Sequence, residues 1–184
     1  MPEDKPSVTE ILKPWGPDFS QVPNIEYYQD RGDRLHNLCT GHALGIWVVP
    51  EEDIEGYFDS FRRWFDLVDK VLLAETRLTS NTWGFTGRPD LVVRFKNDSR
   101  LVLPDLKSPL AHHRVWALQT SGYKILYEEN HPGQEIERWG SLRLRKDGGV
   151  AIFNEATQED VRAFIAATII YKHMKGGTQY VEWE

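Results

Sequence analysis

Asp90, Asp105 and Lys107 stand in one short run, GRPDLVVRFKNDSRLVLPDLKSP (residues 87–109), that otherwise reads as two apolar strands around a polar turn. Burying a carboxylate or an ammonium without a partner costs roughly several kcal/mol. These residues are therefore either satisfied structural pairs or a site. Alternate residues of a strand face the same side, so Asp105 and Lys107 project together while Leu106 faces away. A hairpin closed by the turn KNDS sets Asp90 beside Asp105. Two carboxylates so close repel unless a cation lies between them, and Mg²⁺ or Mn²⁺ favours oxygen ligands of this kind. A lysine next to such an ion could orient or deprotonate a water, or neutralise developing charge. Pro89 and Pro104 remove ladder donors, which suits a distorted strand at a site. In the plainer alternative, Lys107 pairs with Asp105 or Asp90 at a sheet edge, and Asp-X-Lys spacing alone does not separate the two.

The elements that must carry these residues follow from periodicity. Residues 1–24 are proline-rich without a clear period and read as an extended arm or a surface-packed loop. The remaining 25–184 read as one domain, consistent with a chain of 184 residues. Residues 26–44 turn helical, with Leu35, Leu38 and Ala43 on one face. A second helix is predicted over 51–69, where Ile54, Tyr57, Phe58, Phe61, Trp64, Phe65 and Val68 recur at helical spacing. KVLLAETRLTS is β-like, NTWG a turn, and GFTGRPDLVVRFK and RLVLPDLKSP are strands. A helix over 112–129 carries Trp116, Gln119, Tyr123 and Leu126, and residues 137–153 form a hairpin around Asp147-Gly148-Gly149. The last helix, 157–175, has Thr157 as N-cap and is ended by Gly176-Gly177. The order α-α-β-β-β-α-β-β-α predicts an α/β (α+β) fold, a mixed central sheet flanked by helices.

Composition narrows the chemistry. Cys39 is the only cysteine, which excludes an internal disulfide framework, a cysteine zinc site and an iron–sulfur cluster and suits a reducing cytoplasm. No apolar run is long enough to span a membrane, and the N-terminus lacks signal-peptide character. No GxxxxGK-like stretch is present, so nucleotide use is not expected. The net charge of −6 argues weakly against a general nucleic-acid coating protein, though a local basic groove is compatible with it.

Four ordered blocks add a resemblance. RGDRLH (31–36), GFTGRPDLVV (84–93), LVLPDLKSP (101–109) and QTSGY (119–123) together resemble the PD-(D/E)XK nuclease superfamily, in particular its RecB-like and phage-exonuclease-like branch. With their connecting segments they span most of residues 26–129. The resemblance implies a restriction-endonuclease-like core, a DNA substrate and a divalent metal. Asp90 and Asp105 then match the metal-binding carboxylates, the backbone carbonyl of Leu106 a further ligand, and Lys107 the catalytic lysine. His36 matches the histidine that joins the metal shell in RecB-like members. Gln119 and Tyr123 match residues that line the site near DNA. Glu75 stands where a glutamate reaches the metal in some phage exonucleases.

The implied activity is phosphodiester hydrolysis by an exonuclease of recombination, repair or phage DNA processing, in a bacterial cytoplasm or encoded by a phage. A basic rim of Arg88, Arg114 and Lys124, which flank the motifs, is expected to meet DNA. Two alternatives stay open: a non-catalytic nucleic-acid-binding or assembly module with a retained nuclease fold, and an endonuclease of restriction or junction-resolving type. A homo-oligomer or a recombination partner protein would suit processive digestion, but the chain has no signature of a ring. His42 lies on a different helix face from His36. His112 and His113 read either as phosphate contacts or as exposed loop residues, and Trp83 and Phe85 as packing residues.

Overall fold

A computed structural model describes residues 5–109 and 112–175. The order is α1 (Val8–Leu12), a 3-10 turn (Lys13–Trp15), α2 (Ile25–Ala43), α3 (Glu55–Phe65), β1 (Val68–Ala74), β2 (Leu78–Ser80), β3 (Phe85–Gly87), β4 (Leu91–Phe95), β5 (Leu101–Lys107), α4 (Val115–Asn130), β6 (Ile136–Arg143), β7 (Ile152–Glu155) and α5 (Gln158–Lys175). The main sheet has five strands in the order β1-β4-β5-β6-β7, and β2 and β3 form a separate hairpin. The β5–β6 pair is parallel and the other pairs are antiparallel. A parallel pair needs a crossover, and α4 is that crossover. The fold is thus a mixed central sheet flanked by helices, as the periodicity predicts.

Alternation along the strands gives the sheet two apolar faces. Leu91 and Val93, Val102 and Leu106, and Leu142 pack with Leu35, Leu38 and Cys39 of α2 and Tyr57, Phe58, Phe61 and Trp64 of α3. Val92, Leu103 and Trp139 pack with α1, α4 and α5 through Ile11, Tyr123, Leu126 and Phe164. Each such side chain contributes about 1.5–3 kcal/mol on burial. Asp105 and Lys107 continue the row of Leu103, at the end of β5 where the chain leaves for α4.

Four local expectations change. The stretch read as an arm or loop carries α1, whose Val8 and Ile11 are fully buried. Ser7 caps it, its hydroxyl accepting from the Glu10 amide at 3.0 Å, and the Pro6 carbonyl takes the Thr86 amide at 2.8 Å. A helix of five residues is too short to show a period. The helix predicted over 51–69 is only α3, because Val68 already belongs to β1. KVLLAETRLTS is broken at Glu75, which adopts φ 44°, so its two halves join different sheets. GFTGRPDLVVRFK likewise splits at Arg88-Pro89-Asp90 into β3 and β4. At the start of α5, the Asp160 carboxylate accepts from both the amide and the hydroxyl of Thr157 at 2.8 Å, one half of a capping box. Gly176-Gly177 lies outside the described residues.

Candidate active site

The β4–β5 register pairs Val93 with Val102 and Arg94 with Leu101. Continued toward the start of β4, it sets Asp90 opposite Asp105. The ladder stops before that point, and the Asp90 side chain takes its place: Oδ2 accepts the Leu106 amide at 2.6 Å. Pro104, two residues back and so facing the same neighbour, has no N–H to leave unpaired where the strands part. The Leu106 carbonyl is turned to α2, where His36 Nε2 donates to it at 2.9 Å. His36 Nδ1 lies 3.5 Å from Asp90 Oδ1. Helix α2 can deliver His36 because the adjacent Leu35 is seated in the core.

Glu75 completes this corner. Its amide donates to the Asp90 carbonyl at 3.0 Å, and its left-handed backbone is an uncommon conformation for a non-glycine residue. One ligand atom each of His36, Glu75 and Asp90 lies within 4.8 Å of the others. Asp105 is 1 % exposed, and its Oδ2 is 2.5 Å from Lys107 Nζ. Lys107 in turn lies 5.9 Å from the centre of the Trp116 ring. On α4, Gln119 Nε2 donates to the Tyr123 hydroxyl at 3.0 Å. Gly87 lets that helix approach β3, since a Cβ there would meet the Leu126 side chain at 2.7 Å and the Tyr123 ring at 2.9 Å.

The charges act on one another. For His36, burial opposes the charged form, but the charge and hydrogen bond of Asp90 outweigh it and raise the imidazole to about 9. Burial opposes ionisation of Asp90 as well, yet His36, Lys107 and the Leu106 amide hold its carboxyl below the ordinary value. Burial pushes Asp105 up to about 6, against the pull of Lys107 and with the help of Asp90. Glu75 is raised by burial and by Asp90. Two carboxylates, Glu75 and Asp90, and the His36 imidazole, with a main-chain carbonyl beside them, fit a hard divalent cation, while Asp105 stands outside that group, paired with Lys107. Such an ion would relieve the repulsion from Asp90 that adds to burial in raising Glu75 and Asp105.

Arg88 is exposed, with Nε 3.9 Å from Glu75 Oε2, and Arg114 is exposed just before α4. Lys124 corrects the expected basic rim. It is 5 % exposed, paired with Glu128, bonded to the Ile136 carbonyl at 2.7 Å and set over the Trp139 ring at 4.7 Å. A lysine so enclosed is a bracket between α4 and β6, and Glu128 four residues on was the available signal. His42 packs edge-on against Phe58, Phe61 and Phe65. His113 Nδ1 accepts the Val115 amide at 3.2 Å, and both His112 and His113 lean on Trp116. Phe85 is fully buried, and Trp83 packs against the same core.

Further neighbours of the site are not among the residues the sequence singles out for it. Strand β6 pairs Ser141 with Asp105 and Arg143 with Lys107. Nothing local in SLRLR announces that parallel register. Asp33, Asn37 and Thr40 also line the groove at His36; Asp33 and Thr40, three and four residues from His36, share its helix face, a usable signal, whereas Asn37, one residue on, does not follow from that spacing.

No protein-family model matches the sequence, and no curated protein matches it. Among solved structures the chain is similar to LHK-Exo in complex with dAMP, at 10 % identity and a TM-score of 0.49, covering 92 % of this chain and 87 % of that one. It is also similar to the alkaline exonuclease LHK-Exo from Laribacter hongkongensis, at 13 % identity and a TM-score of 0.41, covering 94 % and 92 %.

Proposed function

We propose that this protein is a divalent-metal-dependent DNA nuclease of PD-(D/E)XK type that removes nucleotides from DNA ends. The observation that carries the proposal is the convergence of His36, Glu75 and Asp90 within 4.8 Å, beside the Leu106 carbonyl and the buried Asp105–Lys107 pair. A purely structural ion pair needs none of the first three.

Asp90, Asp105, Glu75, His36 and the Leu106 carbonyl are the groups that would hold Mg²⁺ or Mn²⁺. When bound there, the ion supplies Lewis acidity toward the phosphate oxygens and lowers the pKa of a ligated water. Burial opposes the Lys107 charge, but Asp105 and Asp90 outweigh it and keep Nζ an ammonium, which would orient the attacking water and stabilise the negative charge developing at the phosphate. The Trp116 ring and Asp105 limit where that ammonium can go. Gln119 and Tyr123 steady the adjoining wall through their shared hydrogen bond, and Arg88 and Arg114 meet the flanking phosphates.

The test is cleavage of linear DNA in Mn²⁺ by the wild type, Asp90→Asn and Asp105→Asn. Cleavage by the wild type and its loss in both variants is expected, with folding checked by circular dichroism: Asp105→Asn removes a charge that burial already disfavours, whereas Asp90 is held ionised by His36, Lys107 and the Leu106 amide, so Asp90→Asn should stay folded but melt lower. Full activity in either variant refutes the assignment. Closed circular DNA should survive; its cleavage would replace the exonuclease reading by the endonuclease one.

A further inference from the structure

Between α2 and α3 the chain runs LGIWVVP, residues 44–50. Trp47 is 89 % exposed, Val49 71 %, Ile46 58 % and Leu44 57 %. Single exposed apolar side chains need no explanation, but a contiguous run does. This run is held in place. The amides of Leu44, Gly45 and Ile46 donate to the carbonyls of Thr40, His42 and Gly41 at 3.0, 3.0 and 2.9 Å. Val48 turns inward onto Gly41, where a Cβ would stand 2.8 Å from its Cγ1, and packs against the α3 aromatics. Gly45 supplies the turn at φ 74°. The loop is therefore built to keep Ile46 and Trp47 outward.

Its position is informative. A groove of about 650 Å³ runs from His36, Glu75 and Arg88 to Leu44 and Ile46. Ile46 also borders the adjoining hollow, which it shares with Trp47 and Arg62. One end of the groove is the candidate metal cluster and the other is this apolar lip. Resting on the nuclease reading above, we propose that Ile46 and Trp47 form a stacking platform for an unpaired nucleobase of the strand being cut. The preferred substrate is then single-stranded DNA or a duplex with a single-stranded tail.

A phosphodiester held at the cluster carries a base on either side of it, and a fixed indole accepts the face of any base. Bases inside a duplex have their faces covered by neighbours. Arg88, 3.9 Å from Glu75, on one side and Arg62, 3.5 Å from Asp59, on the other are both exposed and supply positive charge for flanking phosphates, the alternation of cation and aromatic ring that single strands favour. A protein partner seated on the lip would cover the groove, whereas a nucleic-acid strand uses both ends of it.

The experiment compares kcat/KM in Mn²⁺ on a tailed duplex, the same tail made abasic, and a blunt duplex, for the wild type and Trp47→Ala. In the wild type the intact tail should be preferred over the abasic one by about ten-fold or more. That ratio should fall close to one in Trp47→Ala, while melting is unchanged because Trp47 is exposed. A ratio unaffected by the substitution overturns the inference and leaves the nuclease reading standing. The same holds if Trp47→Ala only dissociates an oligomer in sedimentation, which would make the lip a contact between copies. No cleavage of any of the three DNAs by the wild type overturns the nuclease reading and this inference together.

Discussion

Lys107 serves both the stability and the proposed chemistry of the site, and the two roles can be separated. Its side chain is 15 % exposed and that of Asp105 is 2 % exposed, so Lys107→Ala leaves a buried carboxylate without its counter-ion. Breaking such a pair costs about 3–5 kcal/mol, and the metal-free melting temperature should drop accordingly. Combining Lys107→Ala with Asp105→Asn removes both charges and should restore much of the melting temperature, but no cleavage. Lys107→Ala alone should lose turnover by a factor on the order of 10². A low melting temperature with near-normal cleavage would make Lys107 a structural partner only. The histidine of the same site has its own signature. His36 is raised to about 9, above its unfolded value of about 6.5. Between these values the folded state binds more protons than the unfolded one, so stability falls as pH rises. The metal-free protein should therefore melt progressively lower from about pH 6.5 to 9, and His36→Gln should flatten that slope. A slope identical in wild type and variant would mean that the His36–Asp90 contact contributes nothing.

At the level of elements, the short α1 has more weight than its length suggests. Ile11 is fully buried among the residues that α4 and α5 bring to the sheet, so Ile11→Ala should cost about 2–5 kcal/mol; denaturant melts would measure it. A loss below about 0.5 kcal/mol would mean that α1 is not docked in solution. The same helix shows where the sequence stops being legible. Helix α2, the β4–β5 hairpin and α4 could be read because each repeats an apolar pattern for several turns or alternations. That pattern sets Asp90, Asp105 and Lys107 on neighbouring strands, whereas His36 joins them only through the resemblance to the nuclease superfamily. Helix α1 has one turn and a capping serine and therefore no period. The break at Glu75 depends on a left-handed backbone that no side-chain pattern encodes. The pairing of Ser141 with Asp105 depends on a parallel register set by the crossover through α4, a property of the packed molecule. Lys124 was misread for a related reason: charge suggests surface, but Glu128, the Ile136 carbonyl and the Trp139 ring together satisfy a buried ammonium.

For the whole molecule, the proposed polyanionic substrate would have to approach a chain with 28 acidic and 22 basic residues. Net repulsion at long range makes the placement of the exposed cations decisive, because charges farther away than about 8–10 Å are screened at ordinary ionic strength. With Lys124 enclosed, the expected rim reduces to Arg88, beside Glu75, and Arg114, at the head of α4. Each phosphate neutralised by an arginine releases counterions, so the logarithm of DNA affinity should fall linearly with the logarithm of salt concentration. Arg88→Ala and Arg114→Ala should each reduce that slope by about one and weaken binding similarly across sequences. Their combination should reduce it by about two, since Arg88 follows β3 and Arg114 precedes α4, and among the described residues they share no partner. Lys124→Gln is the internal contrast. It should lower the melting temperature by stranding Glu128 while leaving the salt slope of the folded fraction as it is in the wild type. Fluorescence anisotropy with a labelled oligonucleotide in EDTA, over a range of salt, measures the wild type and all four variants without cleavage. If Lys124→Gln flattens the slope and the arginine variants do not, DNA runs over the α4–β6 side of the molecule and the groove at His36 is not its path.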